Sequence, residues 1–373
     1  MPDKICEKSK CTACFACQNI CPTGAVTLQP DENGCVYPVI NEKCTDCGLC
    51  INTCPANNPI SFSSPQKAYA YYSNNDKIRS DSASGGLVYS IAESFDGIVY
   101  GAAFNNGPNA EHIRVDKKDE LKRIQGSKYV HSHINNAYRQ VKADLNDGKR
   151  VLFTGTPCQV GGLKAFLKKD EPLLFTVDLV CHGVPEAQTL TAFLQRTFKS
   201  LSDNAEIRFR DEKGWNMTLW ENGKKTGEIP FSCNYYYHAF MEGWNYRENC
   251  YTCPYAKKER CGDLTAFDFW GITDSSLNKE LKKGLNGVFI NTEKGAELFD
   301  SVKDGAFFTE REISEAVKGN GQLRHPTPET KYSKRFRALN SKRGAYYALI
   351  NTKIKKRIVF TLRKLKNAGN SNH

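Results

Sequence analysis

The apolar positions beyond residue 66 follow two alternating patterns. Short, nearly continuous apolar runs predict strands at KAYAYYS (67–73), GIVYGAAF (97–104), KRVLFTGTP (149–157) and LLFTVDLVCHG (173–183). Between them, helical periodicity predicts helices at SGGLVYSIAESF (84–95), NNAYRQVKADLNDG (135–148), VGGLKAFLKK (160–169) and PEAQTLTAFLQRTFKSL (185–201). Such alternation is typical of an α/β domain with a largely open sheet, whose ligands bind at loops beyond the strand ends.

The first 60 or so residues show a different, α+β pattern. AVTLQPDENGCVYPVIN (25–41) predicts a short hairpin that turns at residues 31–34. The polar stretch SFSSPQ (61–66) is typical of a linker. We therefore expect a small front domain, a larger mixed α/β domain and a tail, at residues 1–62, 67–330 and 331–373.

Sixteen cysteines in 373 residues require an explanation. The N-terminus MPDKICEKSKC lacks the apolar core of a secretory signal, and no window approaches the roughly 18–20 apolar residues that span a bilayer. We therefore expect a cytoplasmic protein. In a reducing cytoplasm, clustered thiols indicate a metal framework in preference to disulfides.

Two tandem segments, CTACFACQNICP (11–22) and CTDCGLCINTCP (44–55), share the spacing Cys-x-x-Cys-x-x-Cys-x-x-x-Cys-Pro. This is the bacterial ferredoxin run, in which the fourth cysteine of each run ligates the other cluster. Zinc is the alternative for an isolated Cys-x-x-Cys pair, but two complete runs favour two 4Fe-4S clusters. We expect each fourth cysteine to begin a short helix. The crossing pattern predicts a first set of ligands, Cys11, Cys14, Cys17 and Cys54, and a second set, Cys44, Cys47, Cys50 and Cys21. Cys6 has no partner at ligand spacing, and Cys35 is expected to pack under the hairpin.

Two glycine-containing turns precede predicted helices. SASGGL (82–87) and GTPCQVGGLK (155–164) place small residues where free amides at a helix start can hold a phosphate or the edge of a flavin ring. Neither matches a dinucleotide or Walker pattern, so an ordinary strand-to-helix turn is an equal alternative. Four further cysteines form a candidate third set for a third cluster, Cys158, Cys181, Cys250 and Cys253.

Seven motifs follow one another along the chain: SASGG, GSKYV, VLFTGTPCQVGGLK, DLVCHGVPE, CYTCPYA, DFWGI and HPTP. Together, and in this order, they resemble the coenzyme F420 hydrogenase/dehydrogenase beta-subunit family, in the branch preceded by a two-cluster ferredoxin domain. The resemblance covers about residues 1–328. It implies a flavin, usually FAD, beside a 4Fe-4S cluster held by the third set, with electrons passing between a reduced carrier and the flavin. The flavin-site residues that it implies are Ser82, Ser84, Gly85, Gly86, Lys128, Thr154, Gly155 and Thr156.

Some positions depart from the family pattern. Members often carry Gln where this chain has His131, and often lack a cysteine at the position of Cys261. Cys261 and Cys233 are therefore alternatives to a third-set ligand, or core residues. His131 and His182 are candidate proton donors, but local hydrogen bonding is the preferred interpretation for His131, and tuning or shielding of a cluster for His182. No catalytic residue is assigned.

The segment from Lys331 to His373 carries 13 Lys and Arg and no Asp or Glu, so the excess positive charge of the chain lies in this tail. Its apolar positions follow one helical stripe, Tyr347, Ile350, Ile354, Ile358, Leu362 and Leu365. A basic amphipathic helix favours peripheral contact with an anionic membrane face; docking on the domain or on a partner protein is the alternative. No motif indicates a nucleic-acid partner.

A chain that combines clusters with a flavin converts one-electron transfer into two-electron chemistry. The first hypothesis is a flavin-dependent reductase acting on its own organic substrate, with surface-polysaccharide assembly suggested by the family branch. The second is an electron-transfer subunit whose flavin relays electrons between a carrier, reduced ferredoxin or coenzyme F420, and a partner enzyme. A binding module without redox function is the third. Reoxidation of the reduced chain by a small molecule would separate the first two.

Overall fold

The computed structural model describes residues 2, 4–105, 107–198, 202, 205–210, 214–354 and 360. The described strands are β1 (Val26–Pro30), β2 (Val36–Ile40), β3 (Lys67–Ser73), β4 (Ile98–Phe104), β5 (Ala110–Val115), β6 (Ser132–His133), β7 (Val151–Gly155), β8 (Leu174–Leu179), β9 (Glu206–Arg208), β10 (Met217–Glu221), β11 (Lys224–Ile229), β12 (Leu264–Asp268), β13 (Asn286–Ile290) and β14 (Ala306–Arg311). The described α-helices are α1 (Ala16–Ile20), α2 (Leu49–Thr53), α3 (Asp76–Asp81), α4 (Leu87–Ser94), α5 (Ala137–Asn146), α6 (Pro157–Leu167), α7 (Ala187–Thr197), α8 (Tyr235–Met241), α9 (Asn278–Lys283), α10 (Glu293–Asp300), α11 (Ile313–Gly319), α12 (Lys331–Arg343) and α13 (Ala345–Asn351).

The front of the chain forms a hairpin with two short helices. β1 and β2 pair antiparallel, with Val26 opposite Ile40, as the sequence predicts. The Asp31 carboxylate closes the turn by accepting hydrogen bonds from the amides of Asn33 and Cys35 at 2.9 and 3.0 Å. Short-range turn chemistry therefore fixes the register of this hairpin.

The two short helices lie before the fourth cysteine of each run. α1 follows Phe15, at φ 64°, and α2 follows Gly48, at φ 70°; each helix ends at Cys21 or Cys54. The expectation that the fourth cysteine begins the helix is therefore wrong. The left-handed residue inside each run reverses the chain early, so the third cysteine already lies in the helix.

A nine-stranded sheet forms the body, with strand order β14-β3-β13-β12-β8-β7-β4-β5-β6. β4, β7, β8 and β12 form its parallel core, while β3, β13 and β14 add antiparallel strands at one side. All four strands predicted from the apolar runs lie in this sheet, and the mixed α/β fold is confirmed. Because β7 and β8 are parallel neighbours, the loops that follow Gly155 and Leu179 leave from the same edge of the sheet.

An arginine on α5 attaches the front module to the body. Arg139 donates hydrogen bonds to the carbonyls of Gln18, Asn19 and Cys21 at 3.2, 2.7 and 2.5 Å. These carbonyls belong to the end of α1, where backbone acceptors lack helical partners, so a cation is favourable there. The linker is also paired, because Ser63 exchanges two backbone hydrogen bonds with Arg260, both at 2.8 Å.

The described part of the basic tail packs on the body. Phe336 on α12 and Leu349 on α13 are buried in the same apolar cluster as Trp244. Tyr347 and Ile354 are 42% and 51% exposed, and the last three positions of the predicted stripe, Ile358, Leu362 and Leu365, lie outside the described residues. None of the described helices is long and apolar enough to cross a bilayer.

A buried carboxylate beneath the sheet gives a pH-dependent prediction. Asp144 accepts hydrogen bonds from Tyr100 Oη at 2.6 Å and Arg114 Nε at 2.8 Å. Burial alone would raise its pKa, but these partners hold the pKa of Asp144 at about 2. Asp144→Asn should therefore destabilise the fold by about 1–2 kcal/mol at neutral pH, and the difference should shrink from about pH 4 towards pH 2. Urea unfolding at several pH values measures this, and a pH-independent difference would contradict it.

Candidate iron-sulfur and cofactor site

The first set of cysteines surrounds one small cavity in the front module. Cys11, Cys14, Cys17 and Cys54 all line this space of about 40 Å³, as the crossing pattern predicts for one cluster. Cys6 lines it too, and its thiol lies within hydrogen-bonding reach of Cys11 and Cys54. Cys6 has no partner at ligand spacing in the sequence, but the fold brings its thiol beside the first set. The cysteine comes from a segment before the run, and spacing does not reveal its position.

The second set lies on the outer side of the module. Burial, with the nearby thiols of Cys21 and Cys44, raises the pKa of Cys50, so these three side chains lie close together. Cys47 is exposed. A cluster held here would be the one nearest to solvent.

Among the described residues, no cysteine set forms a compact group of candidate ligands of the kind that binds a single zinc ion. Four thiolates around zinc lie about 3.8 Å apart, given zinc–sulfur bonds of about 2.3 Å. Among the described residues, His131, His133 and Glu186 form the only group of three candidate ligands with all donor atoms within 4.8 Å of one another.

The third set meets at the edge of the sheet. Cys158 lies in the first turn of α6, Cys181 follows β8, and Cys250 and Cys253 come from the segment before β12. Burial and the neighbouring Cys158 thiol raise the pKa of Cys181 to about 12 and that of Cys253 to about 11. Thiolates are therefore unfavourable here without a compensating positive centre, which an iron-sulfur cluster would supply.

The two alternative ligands occupy other positions. Cys261 Sγ donates a hydrogen bond to the Pro157 carbonyl at 3.2 Å and lies 3.4 Å from Asp178 Oδ2. Cys233 is buried in a short 3-10 helix before α8. Because the Cys261 thiol is held by the body's own groups, the geometry favours the four-cysteine third set.

Two glycines of α6 bring the front module against the body. A Cβ atom on Gly162 would lie 2.8 Å from Cys14 Cβ and 3.0 Å from Cys14 Sγ, and one on Gly161 would lie 2.7 Å from Tyr255 Oη. These glycines lie in a helix, as the sequence predicts, and their lack of a side chain allows close packing. Through them, the helix that carries Cys158 touches the loop of the first set.

One large cavity, here called the main cavity, gathers most of the residues implied for the flavin. It has a volume of about 590 Å³, and Cys181 of the third set lies in its wall. The implied residues that line it are Ser82, Ser84, Gly86, Lys128, Thr154, Gly155 and Thr156. Gly85 does not line the main cavity, because it faces β3. A Cβ atom on Gly85 would lie 2.4 Å from the Tyr71 carbonyl oxygen.

Several of these polar groups are already engaged by the protein. Thr154 Oγ1 donates to the Tyr100 carbonyl at 3.1 Å, and the Thr156 amide donates to Gln159 Oε1 at 3.0 Å. Lys128 Nζ donates to three backbone carbonyls of residues 123–126, although burial lowers its pKa to about 7. Lys128 therefore holds the preceding 3-10 turn rather than projecting freely into the main cavity.

Further residues of the main cavity were not found from the sequence. Arg210 donates to Asp268 Oδ2 at 2.7 Å and to Tyr129 Oη at 3.0 Å, and its guanidinium lies 3.8 Å from the centre of the Trp215 ring. Arg210 Nε and Ser84 Oγ are buried without a hydrogen-bond partner among the described residues. The sequence signal for this region was the DFWGI motif, which contributes Asp268 and Trp270 to the wall.

The two candidate histidines also line the main cavity. Burial lowers the pKa of His182, whose carbonyl accepts a hydrogen bond from Thr327 Oγ1. His131 is 3% exposed, and neither ring nitrogen makes a hydrogen bond within the described part of the chain. The expectation that local hydrogen bonds satisfy His131 is wrong; its Nδ1 instead lies 3.5 Å from Glu186 Oε2.

Comparison with known proteins found matches to two parts of the chain. Residues 10–58 match the 4Fe-4S dicluster domain, and residues 148–316 match the C terminus of the coenzyme F420 hydrogenase/dehydrogenase beta subunit. A subunit of the F(420)H(2) dehydrogenase of Methanosarcina mazei is 24% identical over 348 residues, which cover 87% of this chain and 90% of the relative. A chain of the F420-reducing NiFe hydrogenase complex from Methanosarcina barkeri is 19% identical, with a TM-score of 0.48 and coverage of 77% of this chain and 91% of that chain. The chain is therefore similar to 4Fe-4S dicluster domains over residues 10–58 and to the C terminus of the coenzyme F420 hydrogenase/dehydrogenase beta subunit over residues 148–316.

Proposed function

We propose that this protein is an iron-sulfur flavoprotein that passes electrons from a low-potential donor through three 4Fe-4S clusters to FAD, and from FAD to an organic substrate. The observation that carries the proposal is the position of Cys181. It belongs to the third set and lines the main cavity, together with seven residues that the family resemblance implies for a flavin. Cofactor sites typically have volumes of about 300–1,000 Å³, and this cavity lies in that range.

The residues of the main cavity fit a flavin. Ser84 Oγ and Arg210 Nε are buried polar atoms without partners among the described residues, so they are available to the polar edge of a ring or to a phosphate. Asp268 and Tyr129 orient Arg210 before any ligand binds, which favours tight recognition of a negatively polarised oxygen. A bound flavin would accept electrons singly and release them in pairs.

The positions of the cysteine sets support an electron path. The second set includes the exposed Cys47, the first set contacts α6 through Cys14 and Gly162, and the third set borders the main cavity through Cys181. Electrons that arrive at the solvent side would pass the second, first and third clusters in that order. The division of the chain at 1–62, 67–330 and 331–373 belongs to this proposal.

The donor, substrate and location are proposed from chemistry and resemblance. Reduced ferredoxin and coenzyme F420 are the two donor classes. The family branch favours an intermediate of surface-polysaccharide assembly as the substrate. The 13 basic residues after residue 330 favour peripheral contact with an anionic membrane surface.

A second function is an electron-transfer subunit whose flavin serves a partner enzyme. The observation that favours it is the 24% identical relative, which is itself named as a subunit of a dehydrogenase. The two functions differ in what reoxidises the reduced chain. A small molecule should reoxidise a complete reductase, whereas the subunit would stay reduced until a partner protein is added.

The cofactor content tests the first step of the proposal. Anaerobically purified protein should contain about twelve irons and one flavin, and Cys158→Ser or Cys250→Ser should reduce the iron content to about eight. Cys233→Ser is the matched control, because this buried cysteine lies outside the three sets. About eight irons without flavin, unchanged in the Cys158 and Cys250 variants, would contradict the proposal. Iron, sulfide and flavin analysis gives all three values.

A further inference from the structure

The small cavity of the front module is lined by five thiols, one more than a 4Fe-4S cluster needs. Four of these thiols belong to the first set, and the fifth is that of Cys6. A cubane cluster has four irons, and each iron takes one cysteine thiolate. Cys6 is therefore a surplus ligand in the wall of a site that already has a complete set.

The backbone beside Cys6 is fixed to the segment that carries Cys54. Ile5 is 4% exposed and packs in the same apolar cluster as Cys54. Asn57 Nδ2 donates hydrogen bonds to the Ile5 carbonyl at 2.9 Å and to the Ile51 carbonyl at 3.1 Å. The Asn57 amide donates to the Cys54 carbonyl at 3.0 Å. Because the same asparagine binds both segments, Cys6 is held beside Cys54 by the packing and hydrogen bonds of its neighbours.

The chain between Cys6 and Cys11 is short and turned. It contains one 3-10 helix, Lys8–Lys10, and the Cys11 amide donates to the Lys8 carbonyl at 3.2 Å. With this turn, the Cys6 thiol comes within reach of Cys11 and Cys54 together. Cys6 is half-buried there, between two ligand positions of one cluster.

The three other cysteines outside the sets lie elsewhere. Cys35 lines a separate cavity with Tyr37, and Cys233 lies in the 3-10 helix before α8. Cys261 donates to the Pro157 carbonyl in the body. The surplus thiol at the first set is therefore a specific feature of Cys6 and does not follow from the large number of cysteines in the chain.

Of the two ligands beside Cys6, Cys54 is the one that the second run supplies. The other three ligands of the first set lie within residues 11–17, on one loop and the start of α1. An iron that loses Cys54 needs a thiolate from outside this loop, and Cys6 is the described thiol in the cavity wall that has no iron of its own.

We propose that Cys6 is a reserve ligand of the first cluster, which binds the iron of Cys54 when Cys54 leaves it. This rests on the cluster that the proposed function assigns to the first set. In the exchange, the iron–sulfur bond to Cys54 breaks and a bond to Cys6 forms. The Cys6 thiol gives up its proton, the released Cys54 thiolate takes one up, and no electron is transferred. All four ligands then come from residues 6–17, so the first cluster no longer depends on the second run.

The iron content of anaerobically purified variants tests the exchange. Cys54→Ala should keep the wild-type content of about twelve irons, because Cys6 takes the open position. Cys54→Ala combined with Cys6→Ala should lose about four irons. Cys17→Ala is the matched control: it removes another ligand of the same set, whereas Cys6 lies beside Cys11 and Cys54, so it should lose about four irons although Cys6 is present. Equal iron contents in the single and double Cys54 variants would overturn the proposal.

A second measurement follows the Cys6 thiol itself. Native protein is treated with iodoacetamide without oxygen, and the alkylated cysteines are identified by mass spectrometry. Cys6 should be alkylated in the wild-type protein and protected in Cys54→Ala, where it binds iron.

The exposed Cys47 is the internal control, because the second cluster should protect it in both proteins. Alkylation of Cys6 to the same extent in both proteins would overturn the reserve role, and so would alkylation of Cys6 and Cys47 together in Cys54→Ala. Alkylation of Cys14 and Cys47 in the wild-type protein would instead contradict the clusters of the proposed function.

Discussion

Arg247→Ala should lower the free energy of unfolding by about 3–5 kcal/mol and loosen the front module. The Arg247 side chain is 1% exposed and forms an ion pair with Glu186. It also donates to the carbonyls of Val36 at 3.1 Å and Cys11 at 3.4 Å, both in the front module. Removal of the arginine leaves a buried carboxylate without its cation, which is the costly way to break such a pair. Chemical unfolding with the clusters intact measures the loss.

Two further variants serve as controls for this experiment. Arg123→Ala removes an arginine that is 46% exposed in a surface pair with Glu120, and should cost less than about 1 kcal/mol. The double replacement Arg247→Met with Glu186→Leu removes both charges and should recover most of the stability. An Arg247→Ala protein as stable as the Arg123→Ala protein would contradict the role given to the buried pair.

Gly162→Ala should remove about four irons and interrupt electron transfer between the front module and the body. The new methyl group would lie 2.8 Å from Cys14 Cβ and 3.0 Å from its Sγ, and neither helix α6 nor the ligand loop can move far without disturbing a cluster. Overpacking of this kind costs about 1–3 kcal/mol and displaces the ligand. Iron analysis, together with the rate at which the proposed flavin is bleached by electrons from the reduced clusters, measures the effect.

Gly305→Ala is the control, because a Cβ at Gly305 meets no atom within 4 Å and its φ is not in the left-handed region. It should retain full iron content and the wild-type rate. If Gly162→Ala also retained both, the close approach of α6 to Cys14 would not contribute to the electron path.

The sequence predicts those parts of the molecule whose signals are local. Continuous apolar runs identify the buried strands β3, β4, β7 and β8, because strands covered on both faces need apolar side chains at every position. Tandem cysteine runs identify the dicluster domain for a similar reason, since the ligand spacing is fixed by the size of the cluster.

Long-range contacts account for the errors. Gly85 looks like part of a ligand-binding turn, but it is required by the approach of β3. Gly161 and Gly162 are likewise required by the approach of Tyr255 and Cys14 from distant segments. Glycine is needed both in a ligand-binding turn and at a close packing contact, so the local sequence does not distinguish these two roles. The pairing of Glu186 with Arg247, 61 positions later, and the position of Cys6 beside Cys54 have no local signature either.

The attachment of the front module has a consequence for protein engineering. Arg139 and Arg247 bind it through the main-chain carbonyls of Gln18, Asn19, Cys21, Val36 and Cys11. Main-chain acceptors are the same for every amino acid, so most side chains of the module can be exchanged without loss of these contacts. A dicluster domain from another protein that follows the same backbone path should therefore be graftable onto this body. Such chimeras would allow the driving force of electron input to be chosen independently of the chemistry in the main cavity.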